Sequence, residues 1–254
     1  MGMTAEQWHE RFIQQAEWTR ALRDYAFEKA GLMPGQRILE VGCGSGAVLS
    51  QLPPGIKAHG LDIDLERLQL AKQVFPTAQY SAGDAHRLPY AGSSFEIVCC
   101  HYLLLWLDDP MSALRECLRT ARPGGFLLAL AEPDYSGRID QPPALARLGE
   151  LQTESLRRQG ADPSAGGKLA RWFNALGLDD IETGPMQTKS RLAPTRRAWE
   201  LEWQVLEEDL SGVISKNELA DLKRLDWNAW QQGERRLHIP TFYAIGRIPQ
   251  PPYE

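Results

Sequence analysis

Glycines alternate with other residues in a short segment near the start of the chain, from Ile38 to Gly46. Its sequence, ILEVGCGSG, places an apolar run that contains one acidic residue directly before three glycines. Glycine is required where the backbone turns sharply and approaches a ligand closely, because a Cβ would fill that space. The segment therefore predicts a buried strand that leads into a cofactor-binding turn.

The glycine turn alone does not identify the cofactor. Counting Ala47, the segment also fits the pattern G-x-G-x-x-A, and Asp62 lies twenty residues after Gly42. This spacing is typical of a dinucleotide site, in which an acid accepts hydrogen bonds from a ribose. The motif therefore leaves a nicotinamide dinucleotide as an alternative to other adenosine-containing cofactors.

Three further features argue against a dinucleotide. Asp84 follows the third predicted strand, and the carboxyl ends of parallel strands meet at one edge of a sheet. Gly42, Asp62 and Asp84 should therefore converge at that edge. A long predicted helix precedes the glycine strand, whereas a dinucleotide domain usually opens at that strand. A further predicted strand, Phe242 to Ile248, follows after the parallel units are complete.

The first half of the sequence alternates between apolar strands and helices. Five strands separated by helices predict a parallel sheet with helices on both faces and right-handed crossovers. The predicted strands span residues 37–41, 56–61, 78–81, 95–100 and 126–131, and the predicted helices span 4–31, 47–52, 64–75 and 110–121. A turn is expected at Pro123-Gly124-Gly125.

The second half has a different rhythm. Helices are predicted over 141–159 and 164–176, strands over 180–190 and 238–248, and two further helices over about 192–236. We interpret residues 1–254 as one domain with an N-terminal helix (4–31), a core (33–190 and 237–248) and an inserted helical cap (191–236). The cap holds four tryptophans whose spacing favours helix packing over a ligand cage: Trp199, Trp203, Trp227 and Trp230.

The composition is that of an ordinary globular protein. Hydrophobic residues make up 43% of the 254 residues, and the formal net charge is −5. That charge argues against a nucleic-acid partner held by a strongly basic surface. The four cysteines lack metal-ligand spacing, so we expect reduced thiols and no metal site. No stretch approaches the ~18 apolar residues of a membrane span, so we expect a soluble cytoplasmic protein.

Four ordered motifs carry a resemblance to the class I S-adenosylmethionine-dependent methyltransferases, particularly the small-molecule branch with a methyltransferase type 11 domain. They are ILEVGCGSG (38–46), GLDID (60–64), GDAHRLPYAGSSFEIVCC (83–100) and RPGG (122–125), and together they cover about residues 33–132. The resemblance implies S-adenosylmethionine as cofactor. It also implies an α/β fold with a Rossmann-like, mostly parallel sheet of seven strands and an N-terminal helix.

The resemblance implies roles for five residues at the methionine end of the cofactor. Gly42, Cys43 and Gly44 would offer backbone contacts to its amino-acid part. Glu40 would sit beneath that turn. His101, just past the fourth strand, would line the methionine portion.

The resemblance also implies roles at the adenosine end. Asp62 would accept hydrogen bonds from both ribose hydroxyls, a task suited to a carboxylate, and Ile63 would pack on the adenine face. Asp84 would accept a hydrogen bond from the adenine amino group, with the Ala85 backbone beside it. His86 stands where the family more often has an acidic residue, and we expect it to be solvated.

Methyl transfer from a sulfonium requires alignment of donor and acceptor, and a base only where the acceptor must lose a proton. Our hypothesis is that His101 or Glu132, at the ends of the fourth and fifth strands, orients the acceptor. We expect a largely enclosed pocket for a small, partly aromatic or apolar acceptor, with the cap on one side and Trp8 and Trp18 of the N-terminal helix on the other. A nicotinamide-dependent oxidoreductase, a protein or tRNA methyltransferase and a non-catalytic scaffold are the alternatives.

Overall fold

The computed structural model describes residues 3–186 and 194–250. In these ranges the helices are α1 (Ala5–Lys29), α2 (Leu65–Val74), α3 (Pro110–Thr120), α4 (Ala146–Arg158), α5 (Ala165–Ala175), α6 (Arg196–Asp209) and α7 (Lys216–Gln231). The strands are β1 (Arg37–Val41), β2 (Lys57–Asp62), β3 (Gln79–Ala82), β4 (Phe95–Cys100), β5 (Ala121–Pro133), β6 (Ile139–Gln141), β7 (Asp179–Pro185), β8 (Arg236–His238) and β9 (Thr241–Arg247).

A seven-stranded sheet forms the centre of the fold, with the strand order β3-β2-β1-β4-β5-β9-β7. The first five strands pair in parallel, whereas β9 lies antiparallel between β5 and β7. The strand order changes direction between β1 and β4, and open α/β sheets bind ligands beyond the carboxyl ends of the strands at such a point. The predicted mostly parallel sheet of seven strands is confirmed.

The connection from β1 to β2 differs from the prediction. A helix is expected over residues 47–52, but the structure has only a short 3₁₀ turn from Leu49 to Gln51. Pro53 and Pro54 follow directly, and the residue before a proline is sterically pushed out of the α region. Leu52 accordingly has an extended ψ of 150° and ends the turn. The prediction of a helix here was therefore wrong.

The strand β5 is longer than predicted and contains the expected turn at residues 123–125. Its pairing with β4 shifts register between Ala121 and Phe126, so the residues between them bulge out of the ladder. Gly124 has a positive φ of 78° in this bulge, a conformation that residues with a Cβ rarely adopt. The predicted turn therefore lies inside β5 rather than before it.

The last part of the chain forms two strands where the sequence predicts one. A single strand is expected over 238–248, but β9 begins at Thr241. Residues 236–238 instead form β8, which pairs antiparallel with β6 in a separate small sheet. Pro240 lies between the two strands and has no N–H to donate to a ladder.

Side chains alternate along the strands between two hydrophobic clusters, one on each face of the large sheet. Ile38 belongs to one cluster, whereas Leu39 and Val41 belong to the other. A third cluster joins α4 to the cap helices α6 and α7. The two predicted cap helices are therefore observed. Residues 187–193, which include the end of the predicted strand 180–190 and the start of the predicted cap, lie outside the described residues.

A buried chain of charged groups runs through the third cluster. Trp199 and Trp203 donate their Nε1–H groups to Oδ2 of Asp226, at 2.6 and 2.8 Å. Arg235 bridges Oδ1 of Asp226 at 2.6 Å and Oδ1 of Asp140 at 2.7 Å. Arg138 then donates to Oδ2 of Asp140 at 2.6 Å. We call these four charged residues, Asp226, Arg235, Asp140 and Arg138, the cap ladder.

The tryptophans of α6 serve helix packing. Trp199 and Trp203 are only 3% and 1% exposed, and their polar atoms are satisfied by the cap ladder. The ring centroids of Trp199 and Trp227 are 4.8 Å apart. The prediction of helix packing rather than a ligand cage is confirmed for these three residues.

Candidate active site

The glycine turn is hydrogen-bonded to the end of the neighbouring strand β2. The N–H groups of Gly42 and Cys43 both donate to the carbonyl oxygen of Leu61, at 2.7 and 2.9 Å. Gly42 has a positive φ of 73°, and a Cβ there would lie 2.7 Å from the side chain of Leu103. Burial raises the pKa of the Cys43 thiol, which keeps it neutral, so this residue contributes through its backbone.

Asp62 completes the turn from the end of β2. Its Oδ2 accepts the N–H of Gly44 at 2.7 Å, and its Oδ1 accepts the N–H of Asp64 at 2.9 Å. Each carboxylate oxygen accepts two hydrogen bonds, so each keeps capacity for one more. Asp64, rather than Asp62, caps α2. The structure thus brings Asp62 to the glycine turn, as the sequence predicts.

The hydrogen bonds within the turn determine what it can offer a ligand. The N–H groups of Gly42, Cys43 and Gly44 are all donated to protein acceptors. The carbonyl oxygens of the turn can accept hydrogen bonds from a ligand, and that of Cys43, which accepts the N–H of Gly46 at 2.9 Å, has a second lone pair. An ammonium group, which carries three donors and no acceptor, suits such a surface.

Asp84 and its neighbours occupy the loop after β3. Oδ1 of Asp84 accepts the backbone N–H of His86 at 2.9 Å and pairs with its Nδ1 at 2.7 Å. Nε2 of His86 lies 3.2 Å from Oδ1 of Asp108, and the His86 side chain is only 26% exposed. The expectation that His86 is solvated was therefore wrong. Ala85 is buried beside it, whereas the side chain of Ile63 is 75% exposed at the same edge.

Glu40 lies beneath the glycine turn and is 2% exposed. Burial raises the pKa of its carboxyl to about 8, although the nearby positive charge of Arg23 opposes that shift. Within the described ranges its Oε2 has no hydrogen-bond partner. Glu40 is thus a buried, largely protonated acid at neutral pH that supports the turn from below.

Helix α1 covers the turn through Phe12 and His9, two residues to which the sequence analysis gave no role at the site. A Cβ on Gly44 would lie 3.0 Å from the ring of Phe12. His9, one helical turn earlier, pairs through Nδ1 with Oγ of Ser45 at 2.7 Å. The available signal was the spacing of three and four residues along α1, which places His9, Phe12, Ala16 and Thr19 on one side.

His101 follows β4 and faces α1. Its Nε2 lies 2.9 Å from Oγ1 of Thr19. Burial, together with the positive charge of Arg23, lowers the pKa of His101 to about 3. The imidazole is therefore neutral at physiological pH and cannot hold a second proton there.

Glu132, the other predicted acceptor-orienting residue, is bound to the backbone. It is fully buried, and its carboxylate accepts the N–H groups of Leu103 and Leu104 at 2.9 Å and of Leu105 at 3.3 Å. These donors form the start of the 3₁₀ turn Leu104–Trp106 that follows β4. The structure thus places Glu132 as a cap for that turn.

A cavity of about 740 Å³ opens between α4 and the chain that follows β5. Tyr135 and Ser136 line it from the β5 side, and Gly212 and Val213 line it from the loop between α6 and α7. Arg138 contributes the end of the cap ladder and is 5% exposed in its side chain. Within the described ranges, none of the residues that line this cavity belongs to the glycine turn or to the loops after β2, β3 and β4, so the cavity is separate from the candidate site.

The residues at this sheet edge fit S-adenosylmethionine. Asp62 retains acceptor capacity for ribose hydroxyls, and the carbonyl side of the turn suits the ammonium of an amino-acid tail. The exposed side chain of Ile63 offers an apolar surface for a base. Gly42 and Gly44 lack Cβ atoms, and this allows the side chains of Leu103 and Phe12 to pack directly against the turn.

Comparisons with known proteins agree with this assignment. Residues 39–129 match the model of a family described as a methyltransferase domain. A demethylmenaquinone methyltransferase of Renibacterium salmoninarum is 36% identical over 185 residues, which are 64% of this chain and 75% of that protein. A ubiquinone biosynthesis O-methyltransferase of Escherichia coli is 32% identical over 108 residues, which are 40% of this chain and 45% of that protein.

A solved structure shows the same fold. Phosphoethanolamine N-methyltransferase 2 of Haemonchus contortus, in complex with phosphomonomethylethanolamine and S-adenosylhomocysteine, superposes with a TM-score of 0.60. The match covers 94% of this chain and 57% of that chain at 19% identity, so it supports the fold alone. The family match, the first relative and the four ordered motifs show that this chain belongs to the S-adenosylmethionine-dependent methyltransferases.

Proposed function

We propose that the protein transfers a methyl group to a small-molecule acceptor by in-line displacement. The observation that carries this proposal is that two apolar side chains pack over the glycine turn, Phe12 from α1 and Leu103 from the β4 side. A covered site suits a small acceptor, whereas a macromolecular substrate needs an open face. The names of the two relatives above also refer to small molecules, menaquinone and ubiquinone.

The cofactor would be held at both ends by residues already described. The carbonyl side of the turn at Gly42 would accept from the ammonium group, and Asp62 would accept from the ribose hydroxyls. Ile63 would pack on the adenine, and Asp84 would accept from the adenine amino group. When bound, S-adenosylmethionine supplies an electrophilic methyl group on its sulfonium.

The chain's own contribution to the reaction is alignment and exclusion of water. Phe12 and Leu103 cover the turn with apolar groups, and a fixed orientation of the reactants can contribute effective molarities of roughly 10⁵ to 10⁸ M. His101 cannot act as a general base of matched pKa, because its pKa is about 3. We therefore propose that His101 orients a ligand by a hydrogen bond, and that Glu132 acts only through the 3₁₀ turn it caps.

None of the helices in the described ranges combines the length and apolarity that crossing a bilayer requires. The predicted cytoplasmic location and the division into core and cap stay predictions.

Transfer of a labelled methyl group distinguishes the classes of acceptor. Purified protein would be incubated with methyl-labelled S-adenosylmethionine and a cell extract, which is then separated into a low-molecular-mass fraction and a macromolecular fraction. We expect label in the low-molecular-mass fraction, and much less with Asp62→Asn. Label confined to protein or RNA would overturn the small-molecule proposal.

A further inference from the structure

His101 is connected to the N-terminal helix through a single side chain. Its Nε2 lies 2.9 Å from Oγ1 of Thr19. Thr19 is 0% exposed, so bulk water does not compete for this contact. Which atom donates in this hydrogen bond determines where the imidazole carries its proton.

The other neighbours of the Thr19 hydroxyl limit the possibilities. Arg23 donates its Nε–H to Oγ1 of Thr19 at 3.2 Å, and its Nη2 donates to the carbonyl oxygen of Ala16 at 2.8 Å and to Gln51. Arg23 is 1% exposed, so this cation is fixed beside Thr19. An arginine has donors only, so the Thr19 oxygen must accept from it.

The hydroxyl has one proton to give and three candidate acceptors. The carbonyl oxygens of Gln15 and Ala16 are 3.3 and 3.2 Å away, whereas Nε2 of His101 is 2.9 Å away. Hydroxyl donors usually lie about 2.5–3.0 Å from their acceptors, so only the His101 nitrogen is at a normal distance. The hydrogen bonds from Arg23 to Thr19 and from Thr19 to His101 also run in the same direction, so each bond polarises and strengthens the other.

We propose that Arg23 and Thr19 hold His101 in the tautomer that carries its proton on Nδ1, which makes His101 a hydrogen-bond donor toward bound ligand. Nε2 accepts from the Thr19 hydroxyl. The ring is neutral at physiological pH because of burial and the Arg23 charge, so its one proton resides on Nδ1. Thr19 and Arg23 are thus positioning residues that act through His101.

A donor at this place selects an oxygen of the ligand. At the methionine end of the proposed cofactor site, the matching group is a carboxylate, while the carbonyl side of the turn at Gly42 takes the ammonium. This second step rests on the proposed function. The assignment of the tautomer does not rest on the proposed function, because the tautomer is a property of the ligand-free protein.

Nitrogen NMR of the imidazole rings tests the tautomer directly. The chain has five histidines, so the ring signals of ¹⁵N-labelled protein can be assigned to His101 by their loss in His101→Gln. We expect a pyrrole-type Nδ1 and a pyridine-type Nε2 in the wild type without ligand. A pyrrole-type Nε2 would overturn the proposal, whether or not the protein methylates anything.

Thr19→Val removes the hydroxyl and keeps the shape of the side chain. We expect the His101 signals to move away from the pure Nδ1–H pattern, and the affinity for S-adenosylhomocysteine to fall about tenfold, as one hydrogen bond is lost. Thr19→Ser should restore both properties. Unchanged His101 signals in Thr19→Val would overturn the role of Thr19.

Thr120→Val is the matched control. Thr120 is also fully buried, and its hydroxyl bonds to helix carbonyl oxygens of Glu116 and Cys117. The substitution therefore removes an equivalent hydroxyl from α3 rather than from α1. We expect it to leave the His101 signals and the ligand affinity unchanged, so an equal effect of both valine variants would contradict a specific role for Thr19.

Discussion

The backbone N–H of Gly44 donates a 2.7 Å hydrogen bond to Oδ2 of Asp62. This bond joins the glycine turn after β1 to the acid at the end of β2. The turn and the acid therefore form one unit in which a carboxylate both fixes the backbone and retains lone pairs for a ligand.

We expect Asp62→Asn to weaken binding of S-adenosylhomocysteine by about 10- to 100-fold. The amide replaces one acceptor oxygen with an NH₂ donor. This donor would face either the Gly44 N–H or a ribose hydroxyl, so a hydrogen bond to a charged acceptor is lost. Isothermal titration calorimetry measures the change. Asp64→Asn is the control, because asparagine caps a helix as well as aspartate does. Equal affinities for the wild type and Asp62→Asn would contradict the assignment.

Glu132→Gln is expected to lower the free energy of unfolding by about 1–3 kcal/mol, because an amide NH₂ would face backbone N–H groups in a fully buried site. Chemical denaturation of the purified protein measures this loss. The affinity of the remaining folded protein for S-adenosylhomocysteine should change little. If Glu132→Gln abolished methyl transfer while stability stayed at the wild-type value, Glu132 would have a catalytic role instead.

Glu40 makes stability depend on pH. The pKa of its carboxyl is raised to about 8 in the folded protein, so the folded state retains a proton that the unfolded chain releases at lower pH. The stabilisation that comes from keeping this proton is fully present below the pKa of the unfolded chain, and it is lost as pH rises through about 8.

The stability of the wild type relative to Glu40→Gln should therefore fall by about 1–3 kcal/mol between pH 6 and pH 9, because the glutamine stays neutral. Denaturation curves of both proteins across this range measure the difference. A difference that does not vary with pH would show that Glu40 does not titrate there.

Asp226→Asn is expected to destabilise the protein by about 3–5 kcal/mol. The substitution leaves the buried charge of Arg235 with one fewer partner and replaces an acceptor shared by Trp199 and Trp203. Thermal unfolding and tryptophan fluorescence report the effect. Asp221→Asn, at an exposed ion pair on the same helix, should shift stability by less than about 0.5 kcal/mol. Equal effects of the two substitutions would mean that the cap ladder does not stabilise the fold.

The bounds of β1 and β4 could be predicted because they are set by the local sequence. β1 and β4 match the predicted ranges 37–41 and 95–100, since each is an apolar run that glycine, charged or turn residues end. Gly42, Asp62 and Asp84 converge at one edge because parallel strands place their carboxyl ends together. Such inferences need only spacing along the chain.

Contacts between distant parts of the chain could not be predicted in this way. Arg235 and Asp140 are 95 residues apart, and nothing local indicates that they pair. The partners of Glu132 could not be predicted for a similar reason, because they are backbone N–H groups that any residue type at 103–105 would supply. The Thr19 contact to His101 likewise requires α1 to lie across the sheet edge.

Calorimetric titration of the wild type with S-adenosylhomocysteine and, separately, with NAD tests the central claim most directly. We predict saturable binding of S-adenosylhomocysteine at one site per chain and no measurable heat from NAD. Tight binding of NAD without binding of S-adenosylhomocysteine would contradict the account.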